Sequence, residues 1–267
     1  MYTAPFRYLR PKTLAEAEAM FNAGADAKYI AGGHTLIPTM KQRLAAPAEL
    51  IDLARLPGLS FIRESGAALM IGAATCHADV AASPIVKKAI PGLAALAEEI
   101  GDPAVRHRGT LGGSVANNDP AADYPAGLVA LGASVKTTRR TLAAEEFFTG
   151  LFATALEAGE IVTEIAFPVP QRGAYAKFRN PASRYAMVGV FVAQFTGSVR
   201  VAVTGAGPCV FRVPAMEIAL GKNFSPTAIA DIAIPAEGLN SDLFGSAEYR
   251  AHLVTVMAKR AVAAALV

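Results

Sequence analysis

The sequence predicts an α+β protein of two domains, and three observations carry that prediction. The chain has 267 residues, more than one core of ordinary size organises. Over the first 170 residues, short apolar runs of strand length alternate with runs at helical spacing. Beyond residue 173 three strand-like runs come first and helices follow, the order expected when helices pack on one face of an antiparallel sheet. Pro, Gly and polar residues cluster at 168–173. The boundary is therefore placed there, giving domains 1–170 and 171–267.

The elements follow in order. Thr13 and Glu16 frame a capping box, with Leu14, Ala17 and Phe21 on one face of the helix that Gly24 closes. Residues 28–31 (KYIA) read as a short buried strand, broken by Gly32-Gly33. Residues 35–44 have helical spacing and tolerate Pro38 in the first turn. Strands are expected at 50–53 and 69–73, and helices at 76–82 and 87–100, the second entered through Pro91. A glycine-rich segment at 109–114 and a polar loop at 117–120 precede an Ala-rich helix over 121–131, which Asp119 is placed to cap. Strands at 134–138 and 160–167 complete the first domain, the latter stopped by Pro168 and Pro170. In the second domain 174–179, 186–195 and 199–204 read as hairpin strands. Residues 214–221, 226–233 and 246–266 read as helices. No internal repeat is present.

Composition excludes several classes. Hydrophobic residues make up 53% and charged residues 18%, which excludes a disordered chain. The net charge of +3 comes from scattered Lys and Arg, too thin a footprint for nucleic acid. Two cysteines, Cys76 and Cys209, exclude a disulfide framework, a Cys₄ zinc site and an iron–sulfur cluster held by this chain alone. The opening MYTAPFRYLRPKT is not a signal peptide, and no run approaches 18 apolar residues. A soluble, cytoplasmic protein is expected.

Two strings could hold a ligand. In Ala31-Gly32-Gly33-His34-Thr35 paired glycines let the backbone approach a ligand closely. The following helix start offers amides to phosphate oxygens, and the Thr35 hydroxyl could cap or donate. A plain strand-to-helix turn accounts for this string equally well. Thr110-Leu111-Gly112-Gly113-Ser114 repeats the design, with Asp119 and Asp123 nearby to accept from ribose hydroxyls. Together the two suggest a dinucleotide with two phosphates. Neither is a P-loop. Gly205-Ala206-Gly207 lacks the third glycine of a dinucleotide fingerprint and reads as a structural turn. His34 faces the proposed ligand; His77 and His252 lie on helices; His107 sits between Arg106 and Arg108, facing phosphate or solvent. No histidine pair has metal-ligand spacing, so no metal site is expected. No nucleophile elbow exists, and no catalytic acid or base is expected.

Longer strings carry a resemblance. Phe6, Tyr8, Pro11, Thr13 and Glu16, then AGGHTLIPTMK at 31–41, VRHRGTLGGSVANNDPAAD at 105–123 and VTGAGP at 203–208 occur in that order. Over essentially its whole length the chain resembles the medium, FAD-binding subunit of the molybdenum hydroxylases, the carbon monoxide dehydrogenase and xanthine dehydrogenase family. The resemblance implies a vanillyl-alcohol-oxidase (PCMH) type FAD domain made of two α+β subdomains, split near 50–60. A small C-terminal domain with a three-stranded antiparallel sheet and helices would follow.

It further implies that FAD lies between the subdomains. Ile30, Ala31, Gly32, Gly33, His34, Thr35 and Leu36, with Thr110, Leu111, Gly112, Gly113 and Ser114, would line its diphosphate. Asp123 would hold the adenosine side, Ile100 would pack on the adenine or ribose, and Ile161 and Lys177 would lie along the cofactor. Tyr185 would stand beside the isoalloxazine. Ser114 replaces a frequent Asn, His107 another, and Asn117-Asn118 a more usual His-Ala. The implied function is electron transfer: a large molybdenum-cofactor subunit oxidises substrate and a small 2Fe–2S subunit relays electrons to this FAD. An acceptor such as NAD or quinone then takes them, in a dimer of heterotrimers. The alternative is a free-standing flavin oxidase with FAD covalent at His34, for which the last hundred or so residues are small.

Overall fold

The structure, a computed structural model, describes residues 2–267. It is α+β, with three principal sheets. The first contains β1 (Arg7–Leu9), β2 (Ala27–Ile30) and β3 (Glu49–Asp52), parallel and in the order β1-β3-β2. Helices α1 (Leu14–Ala23) and α2 (Leu36–Lys41) make the crossovers. Thr13 Oγ1 accepts the Glu16 amide at 3.1 Å, and the Glu16 carboxylate reaches back to the Lys12 amide at 2.6 Å. Capping is thus reciprocal, but engages the amide one residue before the cap. Ala17, Ile51, Leu53, Leu56, Leu59, Ala74 and Ile161 form this core.

The second sheet is antiparallel, with order β4-β5-β10-β6-β7. After β4 (Ile62–Ser65) and β5 (Ala68–Gly72), the chain runs through α3 (His77–Ala82), α4 (Pro84–Ala89), α5 (Pro91–Glu98), α6 (Pro103–Arg106), α7 (Leu111–Asn117) and α8 (Tyr124–Leu131). It then makes β6 (Ser134–Thr137), β7 (Thr141–Ala143), α9 (Ala144–Phe147), the hairpin β8 (Phe148–Gly150) and β9 (Ala153–Thr154), and the central strand β10 (Val162–Pro168). All eight residues of α8 are buried, as a helix apolar on every side requires.

The third sheet joins β11 (Arg172–Arg179), β12 (Ala186–Phe195), β13 (Ser198–Thr204) and β14 (Phe211–Arg212) in sequence order, all antiparallel. β12 is an unbroken apolar run because both its faces are covered. Val188, Val190 and Val192 meet α10 (Pro214–Lys222), the 3₁₀ turn Pro226–Ile229 and α11 (Ala247–Ala264). Phe191 and Ala193 enter the same core as Leu69, Leu93, Leu128 and Ile165 of the second sheet and its helices. The largest core therefore crosses residue 170.

Several expectations are corrected. The single helix over 87–100 is two, because Ile90 leaves the helical region (φ −142°) and Pro91 restarts the chain at a helix N-terminus. The glycine-rich segment is not a loop: Gly112 and Gly113 lie inside α7, capped by Thr110. Asp119 does not cap α8; its Oδ1 accepts the Ala121 amide at 2.8 Å in a local turn, and α8 starts at Tyr124. The helix at 226–233 is only the 3₁₀ turn, capped by Ser225. The C-terminal sheet has a fourth, two-residue strand beyond the three expected. The short, largely exposed strands β1, β4 and β7 carry no readable alternation. No helix among the described residues is long and apolar enough to cross a membrane, and none of their His, Cys, Asp and Glu form a metal-holding group.

Candidate functional site

The two glycine segments are brought face to face. β2 pairs with β3 up to Ile30, and the Leu53 amide donates to the Ile30 carbonyl at 2.8 Å, so residues 31–36 leave from the end of the first sheet. On the other side the Gly109 carbonyl accepts the His77 amide at 3.0 Å, and Thr110 bridges to Cys76. The segments touch. A Cβ on Gly32 would lie 2.6 Å from Gly109 Cα and closer still to the Arg108 carbonyl oxygen, while Gly33 has φ +71°. Gly113 is exposed, and across from it the first segment offers only the Ala31 Cβ at 4.0 Å. The result is a cleft walled by backbone.

Its donors are unequal. Among the described residues the amides of Gly32, Gly33, His34, Thr35 and Leu36 have no protein acceptor, and the Thr35 hydroxyl makes no cap bond. The Leu111, Gly112, Gly113 and Ser114 amides are already engaged, with Thr75, Ala73, Thr110 Oγ1 and Thr110 O. Thr110, Leu111 and Gly112 are buried; Gly113 and Ser114 face outward. The first segment is therefore the donor and the second mainly its close-packed wall. α2 has only six residues, so the amides themselves, rather than a helix dipole, favour an anion. Five unpartnered amides beside a segment whose exposed position, Gly113, has no side chain fit a diphosphate.

Beneath the wall lies His77. Its Nε2 would be 2.6 Å from a Cβ on Gly109. Burial, with the nearby His34 and Arg106, lowers its pKa to about 4, so the ring is neutral at pH 7. Its Nδ1 and the hydroxyl of Tyr124, whose rings are 5.4 Å apart, are buried without partners. His34 is exposed, with Nδ1 3.1 Å from the Gly32 carbonyl oxygen. His107 is held by the Pro103 carbonyl at 2.7 Å.

The remaining expected residues form no single cluster. Asp123 is buried just before α8, where Lys177 Nζ lies 2.9 Å away and the Tyr175 hydroxyl donates to it at 2.5 Å. Burial pushes this carboxyl up, and the Lys177 ammonium and the two hydrogen bonds oppose that push. Lys177 also donates to the Glu99 carbonyl at 3.0 Å, one residue before the half-buried Ile100. Ile161 lies in the first core, against β3 rather than against Asp123. Tyr185, 45% exposed, stands in the β11–β12 turn beside a cavity of about 410 Å³ that Asn180, Phe244 and Arg250 also line. Sequence reasoning missed Tyr175, His77 and the buried Asn118. One signal for Tyr175 existed: the lone Gly189 inside the apolar run of β12 marks a close approach.

Residues 4–170 match the family described as FAD binding domain in molybdopterin dehydrogenase. The chain is 39% identical to the carbon monoxide dehydrogenase medium chain of Hydrogenophaga pseudoflava, covering 97% of this chain and 96% of that one. It is 37% identical to the nicotine 6-hydroxylase medium subunit of Paenarthrobacter nicotinovorans, covering 96% and 95%. Among solved structures, a chain of the H. pseudoflava carbon monoxide dehydrogenase superposes with TM-score 0.89 at 39% identity, covering 100% of this chain and 99% of that one. A chain of quinoline 2-oxidoreductase from Pseudomonas putida 86 superposes with TM-score 0.91 at 30% identity, covering 99% and 98%.

Proposed function

The chain belongs to the family of FAD-binding medium subunits of molybdenum hydroxylases, and from that premise we propose that it carries electrons between two partner subunits and an external acceptor. It is an oxidoreductase subunit and its cofactor is FAD. The observation that carries the site assignment is the row of five unpartnered amides at 32–36, in a segment that packs at Gly32 against Arg108-Gly109 and at Ala31 comes near the exposed Gly113. In this reading Ile30 to Leu36 hold the diphosphate, the amides donating to its oxygens. Thr110 to Ser114 shape the opposite wall, with Gly113 and Ser114 nearest the ligand. Asp123 accepts from the adenosine side, Ile100 packs on the adenine or ribose, Ile161 and Lys177 lie along the cofactor, and Tyr185 stands beside the isoalloxazine.

When bound, FAD supplies a redox centre that takes electrons singly and gives them up in pairs. The residues here would bind and orient it. In this reading a large molybdenum-cofactor subunit oxidises the substrate, a small 2Fe–2S subunit feeds the flavin, and NAD or a quinone accepts, in a cytoplasmic dimer of heterotrimers. The two cysteines support a borrowed relay. We divide the chain at 170 and its first part near 50–60. In support, the parallel sheet ends at Asp52, the antiparallel one begins at Ile62, and β11 to β14 pair with no earlier strand.

The purified chain, alone or with its partners, is expected to show near-UV and blue flavin bands. A folded, colourless chain that rejects added FAD would overturn the assignment. Acid precipitation checks the mode of attachment: noncovalent flavin stays in the supernatant, whereas flavin in the pellet would favour a bond through His34.

A further inference from the structure

We propose that Tyr175 is a positioning residue for the cofactor, fixing the carboxylate of Asp123, and that Gly189 is present to admit its hydroxyl. The inference rests on the assignment of Asp123 to the cofactor site. Asp123 sits where a helix cap belongs but makes no cap bond to α8. Its two oxygens instead point to β11, where Tyr175 and Lys177 are two residues apart on one face of the strand. Tyr175 takes Oδ1 at 2.5 Å, and Lys177 approaches both oxygens at 2.9 and 3.0 Å. The lysine is itself fixed by the Glu99 carbonyl at the C-terminal end of α5. A carboxylate held from two directions has lost its rotational freedom, and its remaining lone pairs point one way.

Gly189 completes the device. It lies opposite Lys177 in the β11–β12 ladder, mid-strand, where glycine weakens a sheet. A Cβ there would come within 2.8 Å of Tyr175 Cζ, 3.0 Å of Thr204 Cγ2, and nearer still to the Tyr175 hydroxyl. The backbone of β12 therefore leaves space at the one point where the hydroxyl must pass to reach Asp123. Tyr175 also leans on Phe191, ring centroids 6.3 Å apart, which fixes its plane.

The groups facing Asp123 are Lys177 and Tyr175 from β11, Glu99 from the end of α5, Tyr124 from α8 and Tyr185 from the β11–β12 turn. Glu99 is in turn paired with Arg179 at 3.0 Å. Of these, Lys177 and Tyr175 favour the ionised carboxyl and Glu99 opposes it. Removing the tyrosine donor therefore raises the pH at which Asp123 takes a proton, and a protonated Asp123 accepts poorly and leaves the Lys177 ammonium unbalanced.

The test is FAD affinity of the full chain stripped of flavin, titrated by flavin fluorescence at pH 6, 7 and 8, with the melting temperature of each apo variant recorded alongside. Tyr175→Phe and Gly189→Ala are each expected to raise Kd about tenfold at pH 8, the loss of one hydrogen bond to a charged group. Both are expected to weaken binding further as the pH falls from 8 to 6, and by more than the wild type, because the lost donor raises the pH at which Asp123 takes a proton. The double variant should be no more than about threefold worse than either single one, since both act through the same contact. Asp123→Asn should weaken binding equally at all three pH values. Variants that melt lower yet keep the wild-type Kd and the wild-type pH profile would show a purely structural role and overturn the proposal. If Asp123→Asn binds FAD like the wild type, the assignment of Asp123 fails and the proposal with it. A wild-type chain that binds no FAD, either alone or with its partners, would instead refute the cofactor site itself.

Discussion

A methyl group added at Gly32 and one added at Gly113 meet opposite surroundings. At Gly32 it strikes the backbone of Arg108 and Gly109, which cannot yield without opening the cleft. Gly32→Ala is expected to lower stability by about 1–3 kcal/mol and to abolish FAD binding, read by urea denaturation and flavin content. At Gly113 the near atom is Thr110 Oγ1 at 2.8 Å, the cap acceptor of the Gly113 amide, with open space beyond. Gly113→Ala is expected to fold, at a cost of no more than the strained Thr110 cap, about 1 kcal/mol, and to lose FAD affinity, because its Cβ occupies ligand space; unchanged affinity would place the diphosphate elsewhere. His77 yields a pH prediction. Its pKa falls from 6.5 unfolded to about 4 folded, so between these values the unfolded chain binds the extra proton. Stability is complete above pH 6.5 and drains away as pH falls toward 4, by about 2–3 kcal/mol. His77→Phe should flatten that part of the urea midpoint against pH curve.

At the scale of the element, α7 links the cleft to a distant hairpin. Thr110 starts it, and Asn118 ends it in the left-handed region at φ 43°. Asn118 Nδ2 donates to the Gly150 and Ala153 carbonyls at 2.8 and 2.7 Å, clamping β8 to β9. Asn118→Gly keeps the backbone but loses both bonds, an expected cost of about 1–2 kcal/mol. Asn118→Ala adds the left-handed penalty of about 1 kcal/mol, and the order of the two urea midpoints tests this account. The same helix shows how far an element was legible. In the sequence, two adjacent glycines argued against helix here. Tertiary packing decided otherwise: a Cβ on Gly112 would lie only 2.5 Å from the Ala73 methyl, and the Ala73 carbonyl takes the Gly112 amide at 2.8 Å. The break at Ile90, by contrast, was written in Pro91, whose missing N–H ends any helix that reaches it.

For the whole molecule the decisive fact is the core that crosses residue 170. Phe191, Ala193 and Ala202 of the third sheet are buried among residues of α5, α8 and β10. Folding of the two parts is therefore coupled. Phe191→Ala is expected to cost about 3–5 kcal/mol and to shift near-UV and far-UV unfolding curves together; separate transitions would mean that the parts unfold independently. The same seam contains Asp123, Lys177 and Tyr175, so loss of the third sheet would also free the carboxylate assigned to the cofactor.

The sequence by itself determined what is local: the Thr13 cap, the apolar strands, the glycine pairs and the shortage of cysteines that leaves no cluster in this chain. Those features depend on neighbours a few residues away, and a string of residues contains them. Only the tertiary structure decided which amides remain free and what stands behind them. The 32–36 amides are available because the chain turns away from β3 there, whereas those of 111–114 are consumed by Thr75, Ala73 and Thr110. Tyr175 reaches Asp123 across 52 residues of chain. Hydrogen-bond satisfaction and the partner in a close approach are properties of packing; a lone glycine such as Gly189 marks that something comes near, and only the fold says what.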